Sequence, residues 1–343
     1  MKSRNTSFDC FKGLACLGII LMHRGFPGQF GIGVRSFACF GVPLFFSISG
    51  YYLSSKEIID PSDILKKIRH ILLLILGSEI FYSAFAFFLN RLYDPYRRAA
   101  FIEESFKNGW IERYFIMGQT PVYRYLWFLY ALLTLYVLVL LFARSRKSIK
   151  IVALPSVPVL LICIMLLEEF NDTGIIKNSF HLLTTETEFY KSNSFLFRAA
   201  PFFLLGFLFY EYREKVRNLN LSLQVLVAGI TACLGTAVVE GFVFSKAQFY
   251  VGNIAALFLI MILCIKYPDL RIQPFWYIGS HYATLVYIYH FAAIHFLAKI
   301  YEKAGLSGIL WRSISPIVVI LITLLVSWIH VNVKEIVFRK IKA

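Results

Sequence analysis

Charged side chains are scarce in this sequence. Asp, Glu, Lys and Arg make up 16% of its 343 residues, whereas hydrophobic residues make up 58%. That much apolar surface exceeds what one water-soluble core can bury, so much of the chain is expected to contact membrane lipid. Alternation of polar and apolar residues along strands is also lacking, which argues against a membrane β-barrel.

Motifs for metal sites and nucleophiles are lacking as well. The six cysteines lie within apolar runs without C-x-x-C spacing, so they predict neither a disulfide framework nor a metal site. No G-x-S-x-G sequence marks a nucleophilic serine. The net charge of +15 comes from short basic segments between apolar runs, a placement that membrane topology explains better than nucleic-acid binding.

The apolar runs are long enough to cross a bilayer core of about 30 Å as helices. They predict an all-α bundle of about ten transmembrane helices. An eleventh is the alternative, because residues 298–313 around Trp311 can form a short interfacial helix. We interpret residues 25–33 as a Gly/Pro-rich turn. The expected spans are 8–23, 32–53, 70–90, 124–142, 151–168, 195–211, 222–241, 250–265, 275–297 and 314–333.

The loops between these spans differ in charge. If both ends of the chain are cytoplasmic, the inside segments carry more than half of the basic residues, whereas the outside loops carry several acidic ones. The positive-inside rule therefore predicts cytoplasmic termini. The two longest loops, 91–123 and 169–194, are too short to fold alone. Residues 1–343 are thus expected to form a single integral-membrane domain.

Two ionisable residues interrupt the first apolar run. Lys12 and His23 are eleven residues apart, which on a helix places them within about 20° of one face and about 16 Å apart along the axis. Asp9, three residues before Lys12, is a candidate ion partner. The alternative is that Lys12 snorkels to the headgroups while His23 sits inert at the interface.

The second apolar run is unusually polar for a lipid-facing helix. Residues 41–53 include Gly41, Pro43, Ser47, Ser49 and Gly50. Prolines and glycines free or expose backbone groups that lipid cannot satisfy. This helix is therefore expected to pack closely against neighbouring helices or to line a water-filled cavity.

Taken together, these features resemble the acyltransferase type 3 family of integral membrane acyltransferases. The resemblance spreads over essentially the whole chain as six motifs in order. They are Lys12 with His23, the run 43–51 (PLFFSISGY), Lys66 with Arg69, and the runs 126–130 (LWFLY), 201–207 (PFFLLGF) and 287–291 (YIYHF). The chain departs from the family at Lys12 and Lys66, where arginine is common, and lysine lacks the bidentate fork of arginine.

The resemblance implies transfer of an acyl group, above all acetyl, from a cytoplasmic acyl-CoA to a hydroxyl of an extracytoplasmic glycan or lipid-linked sugar. The enzyme would lie in the cell (inner) membrane and hold no permanent cofactor. Lys12, Lys66 and Arg69 suit the donor phosphates. His23 suits the base that takes the acceptor proton. Transfer is expected to be direct, with an acyl-histidine intermediate as the alternative.

Four further residues are candidates for the site. His290 is expected to orient the acceptor or to carry a second proton, although a buried, hydrogen-bonded structural histidine explains it equally well. Trp127, Ser49 and Glu79 are candidates for acceptor binding; an interfacial aromatic belt is the alternative for Trp127. A transporter or flippase of an anionic or lipid-linked substrate is the alternative function. The expected marks of a secondary transporter, internal repeats and paired broken helices, are not found in the sequence.

Overall fold

A computed structural model of the protein describes residues 4–53, 60–88, 126–142, 145–172, 194–244, 247–306 and 308–342. Within these residues every regular element is helical and none is a strand, which confirms the all-α prediction. The expected loop 91–123 lies outside the described residues, as does the expected loop 169–194 apart from its two ends.

Eleven longer helices are found in the described part of the chain, with short turns at Ser194–Arg198, Arg213–Arg217 and Phe275–Tyr277 and a π-helical turn at Ile278–Tyr282. The helices are α1 (Thr6–His23), α2 (Gly28–Ala38), α3 (Gly41–Leu53), α4 (Pro61–Phe88), α5 (Trp127–Phe142), α6 (Arg146–Asp172), α7 (Ala200–Glu211), α8 (Leu223–Val243), α9 (Val251–Lys266), α10 (Ala283–Lys303) and α11 (Ile309–Lys342).

One expectation about the connections was wrong, and one alternative is not found in the described residues. The expected turn at 25–33 is largely helical, because α2 begins at Gly28 directly after Pro27. Residues 298–306 and 308–313, the described part of this region, form no separate interfacial helix. Instead α10 continues to Lys303 and α11 begins at Ile309, so that Trp311 lies in the first turn of α11.

Seven of the described helical segments are long and apolar enough to cross a membrane, and two apolar helices, α5 and α9, are shorter. One of the seven segments joins α2 and α3 across residues 28–53. The structure therefore supports a multi-pass membrane protein. The count of ten crossings and the cytoplasmic placement of both termini stay predictions.

The chain divides into two compact units, residues 1–44 with 214–343 and residues 45–213. In the first unit, α1 packs against α2, the π-turn, α10 and α11, while α8 packs against α2 and α9. Half of α1 is buried within the protein. The helix that carries Lys12 and His23 is therefore central to its unit, which lets polar side chains avoid lipid.

In the second unit, residues 45–53 of α3 cross α7 at two glycines. A side chain on Gly50 would collide with the Phe203 carbonyl, and one on Gly206 would collide with the Ser47 carbonyl. Two backbones can approach this closely only where side chains are absent. The prediction that residues 41–53, the polar part of the second apolar run, pack tightly against a neighbouring helix is confirmed.

Large apolar side chains are exposed along several helices. On α11, Ile317, Leu321, Leu325 and Ile329 are all exposed and recur every four residues, which places them on one helix face. Helix α4 exposes a similar set that includes Leu72, Leu76 and Ile80. Exposed aliphatic stripes of this length are the expected surface of a helix in contact with lipid.

Candidate active site

Helix α1 positions both ionisable residues of the first apolar run. It starts at Thr6, where the Asn5 side chain accepts a hydrogen bond from the Phe8 amide, as a good N-cap does. It ends at His23, because the following Arg24 leaves helical geometry while its amide still donates to the Ile20 carbonyl at 2.8 Å. Since the helix is uninterrupted between them, Lys12 and His23 lie on nearly the same face, about 16 Å apart along the axis.

Lys12 is paired with a buried carboxylate. Its Nζ lies 2.6 Å from Oδ1 of Asp9, whose side chain is only 3% exposed. The other oxygen, Oδ2, accepts from Nε of Arg4 at 2.5 Å, and Arg4 also donates to the Ser280 carbonyl. The expected pairing of Asp9 with Lys12 is confirmed. Two cations share one carboxylate here, so the cluster keeps a net positive charge.

The same end of α1 touches the segment around the π-turn backbone to backbone. A side chain on Gly13 would collide with the Phe275 carbonyl, and one on Gly279 would collide with the Asp9 carbonyl. Both positions therefore need glycine for space. The contact fixes where Asp9 and Lys12 lie relative to the segment that leads into α10.

Gly279→Ala is expected to destabilise the protein, because the new methyl group meets backbone atoms that cannot move aside. Overpacking of this kind costs roughly 1–3 kcal/mol. Gly235→Ala is the matched control, since nothing lies within 4 Å of the methyl it would add. Thermal unfolding of the purified variants in one detergent measures the difference. Equal midpoints for the two variants would contradict the close contact.

His23 meets α10 at the other end of α1. Its ring centroid lies 4.5 Å from that of Phe291 and 5.5 Å from that of His290. His23 is exposed, whereas His290 is only 1% exposed. An exposed histidine thus lies against a second histidine that is enclosed by protein.

The hydrogen bonding of His290 determines which of its nitrogens is available. Its Nδ1 lies 2.9 Å from the Val286 carbonyl oxygen, which accepts hydrogen bonds but cannot donate them. In the neutral ring Nδ1 therefore carries the proton, and Nε2 presents a lone pair. Among the described residues Nε2 is buried and has no hydrogen-bond partner. A buried acceptor left open in this way needs an explanation, and a catalytic role is one of those known.

Lys66 and Arg69 are both exposed in the first turns of α4. Asp60 caps this helix, because its carboxylate accepts from the hydroxyl and the amide of Ser62. These hydrogen bonds hold the pKa of Asp60 below its ordinary value. The Lys66 ammonium lies 3.4 Å from Asp63, an exposed pair of little energetic weight. Both cations are therefore accessible to a ligand.

The three acceptor-binding candidates lie in the second unit. The Ser49 hydroxyl donates to the Phe45 carbonyl at 2.9 Å and also hydrogen-bonds Tyr136. The Glu79 carboxyl hydrogen-bonds Tyr130, while its Oε1 is buried without a partner among the described residues. Trp127, the first residue of α5, packs its ring 6.0 Å from that of Phe46.

The structure brings Lys12 together with Asp9, and His23 together with His290. Sequence reasoning did not single out Arg24 and Arg35, which also lie at the His23 end of α1. Arg24 follows His23 directly, and Arg35 lies on the neighbouring helix α2. A signal was available, because basic residues at the predicted outer end of a span run against the positive-inside pattern.

Comparison with known proteins places the chain in a family. A family model described as an acyltransferase domain matches residues 5–331, nearly the whole chain. The chain therefore belongs to the acyltransferase type 3 family, as the six sequence motifs indicated, and it is a multi-pass membrane acyltransferase. No curated protein and no solved structure matches the chain significantly.

Proposed function

We propose that the protein is an O-acyltransferase of the cell (inner) membrane that moves an acyl group, above all acetyl, from cytoplasmic acyl-CoA to a hydroxyl of an extracytoplasmic glycan or lipid-linked sugar. Family membership supplies the reaction class. The contact between exposed His23 and buried His290 is the observation that supports a base-assisted transfer. Residues 1–343 act as one membrane domain in this proposal.

His23 is the proposed base because it is the exposed member of the pair. In the proposed step the acceptor hydroxyl gives its proton to the His23 imidazole while its oxygen attacks the thioester carbonyl. The C–S bond then breaks, the CoA thiolate leaves, and the imidazolium returns the proton to sulfur. An acyl-histidine intermediate is the alternative, in which His23 itself attacks the thioester.

His290 is proposed to orient His23. The open Nε2 of His290 accepts a hydrogen bond from one ring nitrogen of His23, which leaves the other nitrogen of His23 with a lone pair for the acceptor. Hydrogen bonds of this kind are often long in an empty site and tighten when substrate binds. The 5.5 Å between ring centroids is compatible with that tightening.

Lys12, Lys66 and Arg69 are proposed to bind the phosphates of the donor. Each is a cation that the structure leaves at least partly accessible, and Lys12 and Arg4 together outweigh the charge of Asp9. Trp127, Ser49 and Glu79 are proposed to contact the acceptor. Of these three residues, Glu79 is the best-supported acceptor contact, because its buried Oε1 has no partner within the described part of the chain.

Membrane fractions that contain the protein test the proposed reaction. They are incubated with acyl-labelled acetyl-CoA, and surface glycans from cells with and without the gene are compared by mass spectrometry. The expected result is release of free CoA together with an added acetyl mass that depends on the gene. If CoA is not released and the glycan masses agree, the proposed function is wrong.

Lys12→Gln is expected to raise KM for acyl-CoA about tenfold and to leave kcat nearly unchanged, because a charge-assisted hydrogen bond to phosphate contributes about 1.5–3 kcal/mol. Lys12→Arg should retain most of the affinity. Lys299→Gln is the matched control, since Lys299 also pairs with an acidic residue three positions away, but in an exposed setting. Initial rates across a range of acyl-CoA concentrations give both constants. An unchanged KM in Lys12→Gln would remove Lys12 from the donor site.

A further inference from the structure

The segment formed by residues 268–282 is hydrogen-bonded along the first turns of α1. The Leu270 amide donates to the Ser7 hydroxyl at 3.1 Å, and the Ile272 amide donates to the Cys10 sulfur at 3.1 Å. The two glycine contacts described above hold the rest of the segment to the same helix. The side chains of the segment are therefore fixed beside the charged end of α1.

Four of these side chains, which we call the aromatic cluster, contact one another. The rings of Tyr277 and His281 stack with their centroids 4.5 Å apart, and the Trp276 ring lies 5.8 Å from that of His281. The guanidinium carbon of Arg271 lies 3.5 Å from the centroid of the Trp276 ring, a cation–π contact. Tyr277 is 43% exposed, and Arg271 and His281 are exposed as well. Aromatic ring surface and a cation thus lie together on the outside of the protein.

Hydrogen bonds join the aromatic cluster to the pair of Asp9 and Lys12. The Ser280 hydroxyl lies 2.6 Å from Nδ1 of His281, and the Ser280 carbonyl accepts from the Arg4 guanidinium at 3.0 Å. The same guanidinium donates to Asp9, whose other oxygen pairs with Lys12. The rings and the cations therefore belong to one continuous surface.

Cations outnumber carboxylates at this surface. Arg4, Lys12 and Arg271 are positive, whereas Asp9 and the exposed Asp269 are negative. No acidic side chain within the described ranges forms an ion pair with Arg271. Guanidinium groups favour phosphates, and aromatic rings favour flat ring systems. A ligand that combines a phosphate with a flat ring complements this surface best.

We infer that the aromatic cluster and the cations beside it bind the nucleotide part of the donor, an adenine that carries phosphates on its ribose. The inference rests on the proposed function, which names a CoA thioester as the donor. Adenine stacks on the ring pair of Tyr277 and His281, and the phosphates pair with the guanidiniums of Arg4 and Arg271. A nucleotide bound at this end of α1 leaves the thioester arm to cover the rise of about 16 Å toward His23.

An aromatic belt at the membrane surface is the alternative interpretation of Trp276 and Tyr277. A belt residue affects how stably the protein sits in the membrane, and its loss should affect every donor alike. A nucleotide contact affects only donors that carry a nucleotide. The two interpretations therefore differ in a measurable way.

Two donors separate these interpretations, because acetyl-CoA carries the nucleotide and S-acetylpantetheine lacks it. Tyr277→Ala is expected to raise KM for acetyl-CoA about tenfold, the effect of losing one stacked base, with kcat unchanged. The same variant should leave kcat/KM for S-acetylpantetheine unchanged. Arg271→Gln alters an exposed side chain, which should leave folding intact, and is expected to raise the same KM.

Two further variants serve as controls. Tyr277→Phe keeps the ring and loses only the hydroxyl that accepts from the Tyr282 hydroxyl at 3.4 Å, so it should resemble wild type. Trp328→Ala removes another exposed ring of the same unit, on α11, and should leave KM for both donors unchanged. Initial rates of purified protein across a range of each donor give the constants.

Thermal unfolding tests nucleotide binding without turnover. ADP, which carries the adenine, ribose and pyrophosphate of CoA, is expected to raise the unfolding temperature of wild-type protein more than inorganic pyrophosphate does. The additional rise should be lost in Tyr277→Ala and retained in Tyr277→Phe and Trp328→Ala.

The inference is overturned if Tyr277→Ala and Arg271→Gln leave KM for acetyl-CoA unchanged, or if they impair both donors equally. Equal stabilisation by ADP and pyrophosphate would likewise overturn it, since the site would then bind an anion only. In these cases consumption of acetyl-CoA by wild-type protein leaves the proposed function standing. If wild-type protein consumes neither donor, the proposed function fails instead, and ADP stabilisation that depends on Tyr277 still supports the nucleotide site.

Discussion

His23→Ala is expected to lower acyl transfer by about 10²–10⁴-fold, the range that a positioned general base contributes. The acceptor hydroxyl then has no group to take its proton as it attacks the thioester. Binding of acyl-CoA should change little, because the proposed donor contacts lie elsewhere, so the loss should appear in kcat and not in KM. Initial rates of CoA release and of acyl incorporation give kcat and KM.

His330→Ala is the control for this variant. His330 is an exposed histidine of the same unit, and its Nδ1 lies 2.8 Å from the Tyr289 hydroxyl. Its loss removes an imidazole without touching the proposed base. Transfer that persists at the wild-type rate in His23→Ala, in protein with an unchanged unfolding temperature, would show that another group takes the proton.

His290→Phe is the variant with the second largest expected effect. Phenylalanine fills the buried, aromatic surroundings of the ring but offers no acceptor nitrogen to His23. We expect kcat to fall about 10–100-fold, because a misoriented base loses part of what general-base catalysis supplies, with KM for acyl-CoA unchanged. His290→Gln, which keeps an acceptor oxygen, should retain more activity than His290→Phe.

The double variant His23→Ala with His290→Phe separates an orienting role from an independent one. If His290 acts through His23, its loss should have no further effect once His23 is gone. Additive losses would assign His290 a role of its own. Unchanged kcat in the single His290→Phe variant would mean that the histidine is only structural.

Features set by local sequence were predictable. The Asp9 and Lys12 pair depends on a spacing of three residues within one helix, and the length of α1 follows from its apolar run. The close packing of α3 likewise followed from its glycines. Such features need no knowledge of which helices become neighbours.

The contact between His23 and His290 was not predictable in this way, because it joins residues 267 positions apart. A hydropathy pattern identifies spans but not their neighbours. The same reason explains why the first residues of α2 were interpreted as a turn. Its glycine-rich sequence disfavours an isolated helix, yet Ser36 is fully buried and lies close to Gly241 of α8, so packing overrides the local preference.

The contact of Gly13 with the segment around Gly279 has a consequence for the histidines far from it. From Gly13 to His23 the chain advances ten residues, and from Gly279 to His290 it advances eleven. Both stretches run in the same direction. The first rises about 15 Å, and the second, which begins in the π-turn Ile278–Tyr282, rises at most about 16.5 Å. The contact between the two glycines thus fixes the level at which both stretches begin. Their nearly equal rises then bring His23 and His290 to the same level. One residue inserted into either stretch would turn its histidine by about 100° and separate the two imidazoles without changing a side chain near them.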